Sequence, residues 1–202
     1  GTKIEGIVLK SRENPEEVIR HRVNTEEEKG YSQVISNIKS LVDYIESNIN
    51  HKFSKLGIGT PGTIDPESGL LKNSNSQCLN GMPIKIDLSK VLNKSILIQN
   101  DANCFALAET LLGSVKDQHP NAKNVFGIIM GTGVGGGVII DGKTVYGSQG
   151  IGGEWGHTIV TDSGDECYCG KRGCVESVIS GRALQIYYDK IIHHILLNNC
   201  FY

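Results

Sequence analysis

The sequence predicts an α/β or α+β protein built on a mixed sheet, and three observations lead there. Short apolar runs of strand character intermingle with long helical periodicities along all 202 residues. That length suits one large domain, or one domain with part of another, and can bury a core without disulfides. No internal repeat occurs at the periods that mark solenoids.

Residues 2–10 carry Ile4, Ile7 and Leu9 in partial alternation and run into the polar stretch 11–15, a strand followed by a turn. Residues 18–23 read as a second strand. Residues 30–50 place Val34, Ile38, Leu41, Ile45 and Ile49 at helical spacing, with Ile35 and Val42 on the same side. Residues 55–59 form a short buried strand that Thr60-Pro61-Gly62 stops. Residues 95–99 form another, followed at once by an Ala-rich helix over 102–112. Residues 124–130 and 137–141 are strands flanking a glycine-rich loop, and Asp141-Gly142 signals a turn. Residues 176–190 read as a helix. The His119-Pro120 break places a domain boundary near 121–124, giving units 1–121 and 122–202.

The formal net charge of −2, with no dominant basic cluster, argues against a nucleic-acid or membrane-surface role. No run has the apolar length of a membrane span, and the first residues do not form a signal peptide. Cys78, Cys104 and Cys200 stand alone, whereas Cys167, Cys169 and Cys174 crowd together. This pattern fits a reducing cytoplasm and one metal-like cluster better than a disulfide scaffold.

Three segments carry candidate chemistry. Asn100-Asp101-Ala102-Asn103 is open to two readings: an N-cap for the following helix, or a carboxylate delivered to the C-terminal edge of the sheet, where it could take a proton from a hydroxyl. Gly131-Thr132-Gly133-Val134-Gly135-Gly136-Gly137 lies between two strands, so it is neither a dinucleotide fingerprint nor a P-loop. A turn using glycine at positive φ is one explanation. The glycines exceed what a turn needs and favour close approach of backbone amides to phosphate. His157 with Cys167, Cys169 and Cys174 makes a Cys₃His set suited to tetrahedral zinc, with Gly170 and Gly173 letting the backbone fold back. With four protein ligands such an ion is structural. Glu154 and Glu176 flank the set, either as ordinary surface carboxylates or as acceptors for a hydroxyl-rich ligand.

Taken together, these segments resemble the ROK family of sugar kinases and repressors. Ile58-Gly59-Thr60-Pro61-Gly62 resembles its interdomain segment, and Lys72-Asn73-Ser74-Asn75-Ser76 through Leu79-Asn80-Gly81-Met82-Pro83 its sugar loop. Asn100-Asp101-Ala102-Asn103-Cys104 resembles its catalytic motif, residues 131–137 its second phosphate motif, and Glu154-Trp155-Gly156-His157 with residues 167–176 its sugar and zinc signature. The resemblance implies an actin-like ATPase (ribonuclease H-like) fold with mixed sheets and two lobes around a cleft, the second incomplete. It implies Asp101 as the base acting on the sugar 6-hydroxyl. Asn75, Asn100, Asp101, Glu154, His157 and Glu176 would hold the sugar, and His157 would offer one nitrogen to zinc and the other to a hydroxyl. Thr2, Lys3, Gly131, Thr132, Gly133 and Gly135 would face the ATP phosphates, with Mg²⁺.

The family opens with Asp-x-Gly-Gly-Thr-Lys, of which Gly1-Thr2-Lys3 remains here, and residues 191–202 do not resemble the corresponding segment of relatives. The chain is therefore expected to be truncated at both ends and to bind ATP poorly. Local similarity leans to fructose or mannose as substrate, with N-acetylglucosamine or glucose as alternatives. From other classes, the alternatives are a sugar-responsive repressor fragment and a non-catalytic sugar-binding remnant. The expected partners are a hexose and ATP in the cytoplasm, with a homodimer as the assembly considered.

Overall fold

A computed structural model describes residues 2–11 and 13–199, with side chains as far as Ile192. Gly1 of the opening motif and Cys200 of the tail lie outside the described residues. The chain divides into two compact units, the first ending at Asp101 and the second starting at Ala102.

In the first unit, β1 (Lys3–Leu9) pairs antiparallel with β2 (Glu17–Asn24), with a register shift at Val8/Leu9. The long periodicity folds as α1 (Tyr31–Ile49), which buries Val34, Leu41 and Ile45 and ends on Asn50 in the left-handed region. It lies close against β1: a Cβ on Gly6 would come within 2.5 Å of the Ile45 side chain. β3 (Lys55–Thr60) and β6 (Ser95–Asn100) pair in parallel from Lys55↔Ser95 to Thr60↔Asn100. A parallel pair needs a long crossover. Here it contains β4 (Thr63–Ile64), β5 (Leu71–Lys72) and α2 (Ile84–Leu92). The sequence reading missed α2, although Ile84 and Leu88 share a helical face and are fully buried in the core with Val34, Leu71, Leu79 and Ile96. β1 and β3 both line a cavity of about 390 Å³, at which the buried Thr25 and Thr60 hydroxyls have no hydrogen-bond partner among the described residues.

One buried ion pair ties the ends of α1 and α2 together. Lys94 Nζ lies 2.7 Å from Glu46 Oε1, and both side chains are 8% exposed. Lys94 also donates to Phe53 O at 2.7 Å, and Phe53 N–H donates to Glu46 Oε1 at 2.7 Å. Burial raises the Glu46 carboxyl, but the Lys94 ammonium and the Phe53 amide outweigh it and hold it below the usual carboxylate range. This stability is present above the unfolded carboxyl pKa of about 4.3 and is lost as pH falls through the lower folded value. Lys94→Met strands a buried carboxylate and is expected to cost about 3–5 kcal/mol. An unchanged urea midpoint at pH 7 would show the pair contributes nothing.

In the second unit, α3 (Asp101–Leu111) is followed by α4 (Ser114–Gln118) and a meander of β7 (Asn124–Met130), β8 (Val134–Ile140) and β9 (Lys143–Thr144). β8 starts at Val134, so Gly135 and Gly136, expected in a loop, are strand residues paired with Ile129 and Ile128. None of the glycines from 131 to 137 has a positive φ. They provide room instead. A Cβ on Gly127 would lie 2.7 Å from the Ala106 methyl, and one on Gly137 2.7 Å from Ala102 O, so α3 packs directly on the hairpin backbone. Residues 102–121, which the sequence assigned with the first unit, accordingly pack with the second. The helix expected over 176–190 is two helices, α5 (Val175–Ile179) and α6 (Gly181–Asn199), separated by Ser180 in an extended conformation. Among the described residues no helix is long and apolar enough to cross a membrane.

Candidate functional site

The Cys–His cluster is assembled by two tight backbone reversals. Cys167 N–H donates to Lys171 O at 2.8 Å and Gly170 N–H to Cys167 O at 3.0 Å, with Gly170 at φ +87°. Gly173 has φ +67°, and a Cβ there would overlap Thr161 O, so glycine is required twice over. Cys174 bridges to Ile159 and opens α5.

The four donor atoms of His157, Cys167, Cys169 and Cys174 all lie within 4.8 Å of one another. Cys167 Sγ is 3.5 Å from His157 Nδ1, and Cys169 Sγ is 3.7 Å from Cys174 Sγ, beyond disulfide bonding. Tetrahedral zinc with bonds of about 2.3 Å to sulfur and 2.0–2.1 Å to nitrogen has edges of about 3.8 Å and 3.5–3.6 Å. The residues present fit such an ion.

The electrostatics agree. Burial pushes the Cys174 thiol up to about 12 and raises Cys167 as well. At Cys169 burial is outweighed by the Lys171 amide and the neighbouring thiols, and the value falls. Three convergent sulfurs, two of them buried and hard to ionise alone, could share a cation that would carry the thiolate charge.

His157 Nε2 lies 3.1 Å from the Tyr168 hydroxyl, and the two rings meet edge-on at 5.1 Å. With Nδ1 on a cation, Nε2 would carry the proton and could donate it to Tyr168 Oη or to a ligand hydroxyl in its place. The sequence expectation gives this nitrogen a sugar hydroxyl as its partner; Tyr168, to which it gives no role, is within reach of the same nitrogen. The place of Tyr168 between Cys167 and Cys169 is the signal the sequence offers.

Beside the cluster, the turn between β7 and β8 is held on several sides. Glu176 Oε2 accepts a hydrogen bond from Val134 N–H at 2.9 Å. Trp155 Nε1 donates to Gly135 O at 3.1 Å, and Phe126 meets the Trp155 ring edge-on at 5.9 Å. Gly136 lacks a side chain because a Cβ would stand 2.6 Å from Trp155 Cδ1. Packing therefore accounts for Gly136 and Gly137, whereas Gly131 faces open space. Glu154 directly precedes the 3-10 turn Trp155–His157.

The remaining expected residues belong to the first unit. Asp101 is the first residue of α3, directly after β6, at the strand's C-terminal end. Asn100 is buried, and its Nδ2 donates to Gly62 O at 3.1 Å, tying β6 to the Thr60-Pro61-Gly62 turn. Asn75 is exposed between buried Ser74 and Ser76. Asn80 presents it: its Oδ1 accepts from Ser74 N–H and its Nδ2 donates to Ser74 O, both at 2.9 Å. The sequence reading left Asn80 without a role. Lys72 in the same loop is held by Asp65 at 2.7 Å, and that ammonium with the Ser68 and Glu67 amides holds the Asp65 carboxyl down at about 2. Lys3 donates to Asn24 Oδ1, and Thr2 O accepts from Thr25 N–H at 3.0 Å.

Comparison with known proteins places this arrangement. The ROK family profile matches residues 1–201, and the chain belongs to that family. It is 37% identical over 198 residues to an N-acetyl-D-glucosamine kinase of Aliivibrio fischeri, covering 93% of this chain and 63% of that protein. It is 35% identical over 206 residues to an N-acetyl-D-glucosamine kinase of Yersinia pestis, covering 97% of this chain and 77% of that protein. A ROK family glucokinase from Streptomyces griseus, solved with glucose and AMPPNP, superimposes with a TM-score of 0.79 at 28% identity, covering 98% of this chain and 61% of that one. The fold is of the actin-like ATPase type. The chain spans 63% of the length of the Aliivibrio relatives it matches.

Proposed function

We propose that the protein is an ATP-dependent sugar kinase that phosphorylates a hexose hydroxyl, with N-acetylglucosamine as its first candidate substrate. The observation that carries this reading is a Cys₃His cluster joined, through the helix that follows Cys174, to a carboxylate on the glycine turn of a ROK chain. The preference for N-acetylglucosamine over fructose or mannose is supported by the relatives at 35–37% identity, which are N-acetyl-D-glucosamine kinases.

His157, Cys167, Cys169 and Cys174 would hold a structural zinc ion. When bound, the ion supplies charge to ionise the thiols and fixes the imidazole tautomer. Asn75, Asn100, Glu154, His157 and Glu176 would bind the sugar, and Asp101 would bind it too and accept the proton of its 6-hydroxyl. Gly131, Thr132, Gly133 and Gly135, with Thr2 and Lys3, would face the ATP phosphates, whose charge Mg²⁺ would offset. Phosphoryl transfer needs little covalent help from a protein, so alignment and electrostatic stabilisation would do most of the work.

The test is ATP consumption with N-acetylglucosamine, glucose, fructose and mannose, each at saturation. The expected result is the highest kcat/KM for N-acetylglucosamine. Turnover with fructose or mannose alone would overturn the substrate assignment. Absence of turnover with all four sugars, together with specific duplex-DNA binding, would replace the kinase by a sugar-responsive repressor.

A further inference from the structure

The turn that joins β7 to β8 is clasped at both ends by one short stretch of chain. At its far end Glu176 Oε2 accepts the Val134 N–H at 2.9 Å. At its near end Gly181 N–H donates to Gly131 O at 2.7 Å, and within the turn Gly131 N–H donates to Gly133 O at 2.9 Å. The fit is close on both sides. A Cβ on Gly133 would lie 2.5 Å from Glu176 Oε2, and one on Gly181 would lie 2.9 Å from Gly131 O. Glu176 lies in the first turn of α5 and Gly181 just beyond its end; α5 starts immediately after the buried Cys174 and is anchored by Val175 N–H donating to Thr158 O at 3.0 Å.

We propose that Glu176 is a positioning residue for the glycine turn: its carboxylate, held by the helix that begins at the metal cluster, sets the Val134 amide and so fixes the turn that would face the nucleotide phosphates. The inference rests on the kinase reading and deepens it. Under that reading Glu176 binds sugar, and here the same side chain also holds the phosphate-side turn. The two half-sites of the second unit are thereby linked through one carboxylate. The geometry also explains why position 133 is glycine. Any side chain there would displace the oxygen that holds the next residue's N–H.

A carboxylate and a carboxamide differ in a way that separates the two roles. Glu176→Gln keeps an oxygen acceptor for Val134 N–H but weakens the acceptor offered to sugar hydroxyls. Glu176→Ala removes both. The zinc-loaded chain would be followed by amide hydrogen exchange at Val134, alongside calorimetric binding of AMPPNP with Mg²⁺ and of N-acetylglucosamine. The expected result is at least tenfold faster Val134 exchange in Glu176→Ala, with nucleotide affinity about tenfold lower. Glu176→Gln should restore both to near the unsubstituted values while sugar affinity stays reduced. Unchanged Val134 exchange in Glu176→Ala would overturn the proposal, as would a failure of Glu176→Gln to restore it. If the unsubstituted chain bound neither ligand, the kinase reading would fall, and Val134 exchange alone would still decide for or against the clasp.

Discussion

Asp101→Asn is expected to leave hexose binding nearly intact while lowering the rate of sugar phosphorylation by roughly two to four orders of magnitude. The substitution preserves size and hydrogen-bonding reach but removes the ability to accept a proton. Asp101 follows β6 without an intervening loop, and β6 is fixed by six paired positions with β3, from Lys55↔Ser95 to Thr60↔Asn100. The neighbouring Asn100 is buried and bonded to Gly62 O. A backbone so constrained at the strand's end holds position 101 in place whichever side chain it carries. The expected signature is therefore a fall in kcat with little change in the sugar dissociation constant. Equal turnover in the two proteins would remove Asp101 from the chemistry. A parallel loss of sugar affinity would make it a binding residue instead.

Cys174→Ser is expected to have the largest structural effect. Cys174 is fully buried, its sulfur stands 3.7 Å from that of Cys169, and its backbone both bridges to Ile159 and opens α5. Without this sulfur the proposed zinc site would keep two thiols and an imidazole, too few for a closed tetrahedral site. Structural zinc supplies about 10–16 kcal/mol of apparent binding energy in small domains, so its loss is expected to release the whole segment that depends on it. Zinc content should drop from one per chain to near zero. The sugar KM should rise at least tenfold as His157 and Glu176 lose their support. Cys169→Ser acts in the same direction from a more exposed position. Zinc lost with sugar affinity unchanged would cut the link between the metal and the sugar site, and zinc retained would show that Cys174 is not a ligand.

Much of this protein was legible from its amino acids because the relevant signals are local. Alternation over residues 2–10 and the helical spacing from Val34 to Ile49 mark elements whose hydrophobic faces repeat within a few residues, and β1 and α1 appear where those periods run. The four residues of the Cys–His cluster were legible for a similar reason. Three of the four lie within one short segment, and the glycines that close it, Gly170 and Gly173, sit at the positions whose positive φ requires them. The order of the motifs along the chain placed it in its family before any contact was known.

Tertiary structure decided what depends on residues far apart in sequence. Gly135 and Gly136 read as loop, yet they are strand, in a hairpin that α3 and Trp155 approach too closely for side chains. The partner of Glu176 is the amide of Val134, and that of Lys94 is Glu46. A sequence fixes periodicity and residue chemistry, which act over one turn or one strand. Which distant groups meet depends on how whole elements pack, since a buried hydrogen bond or ion pair forms only where the folded backbone has already brought its two ends together.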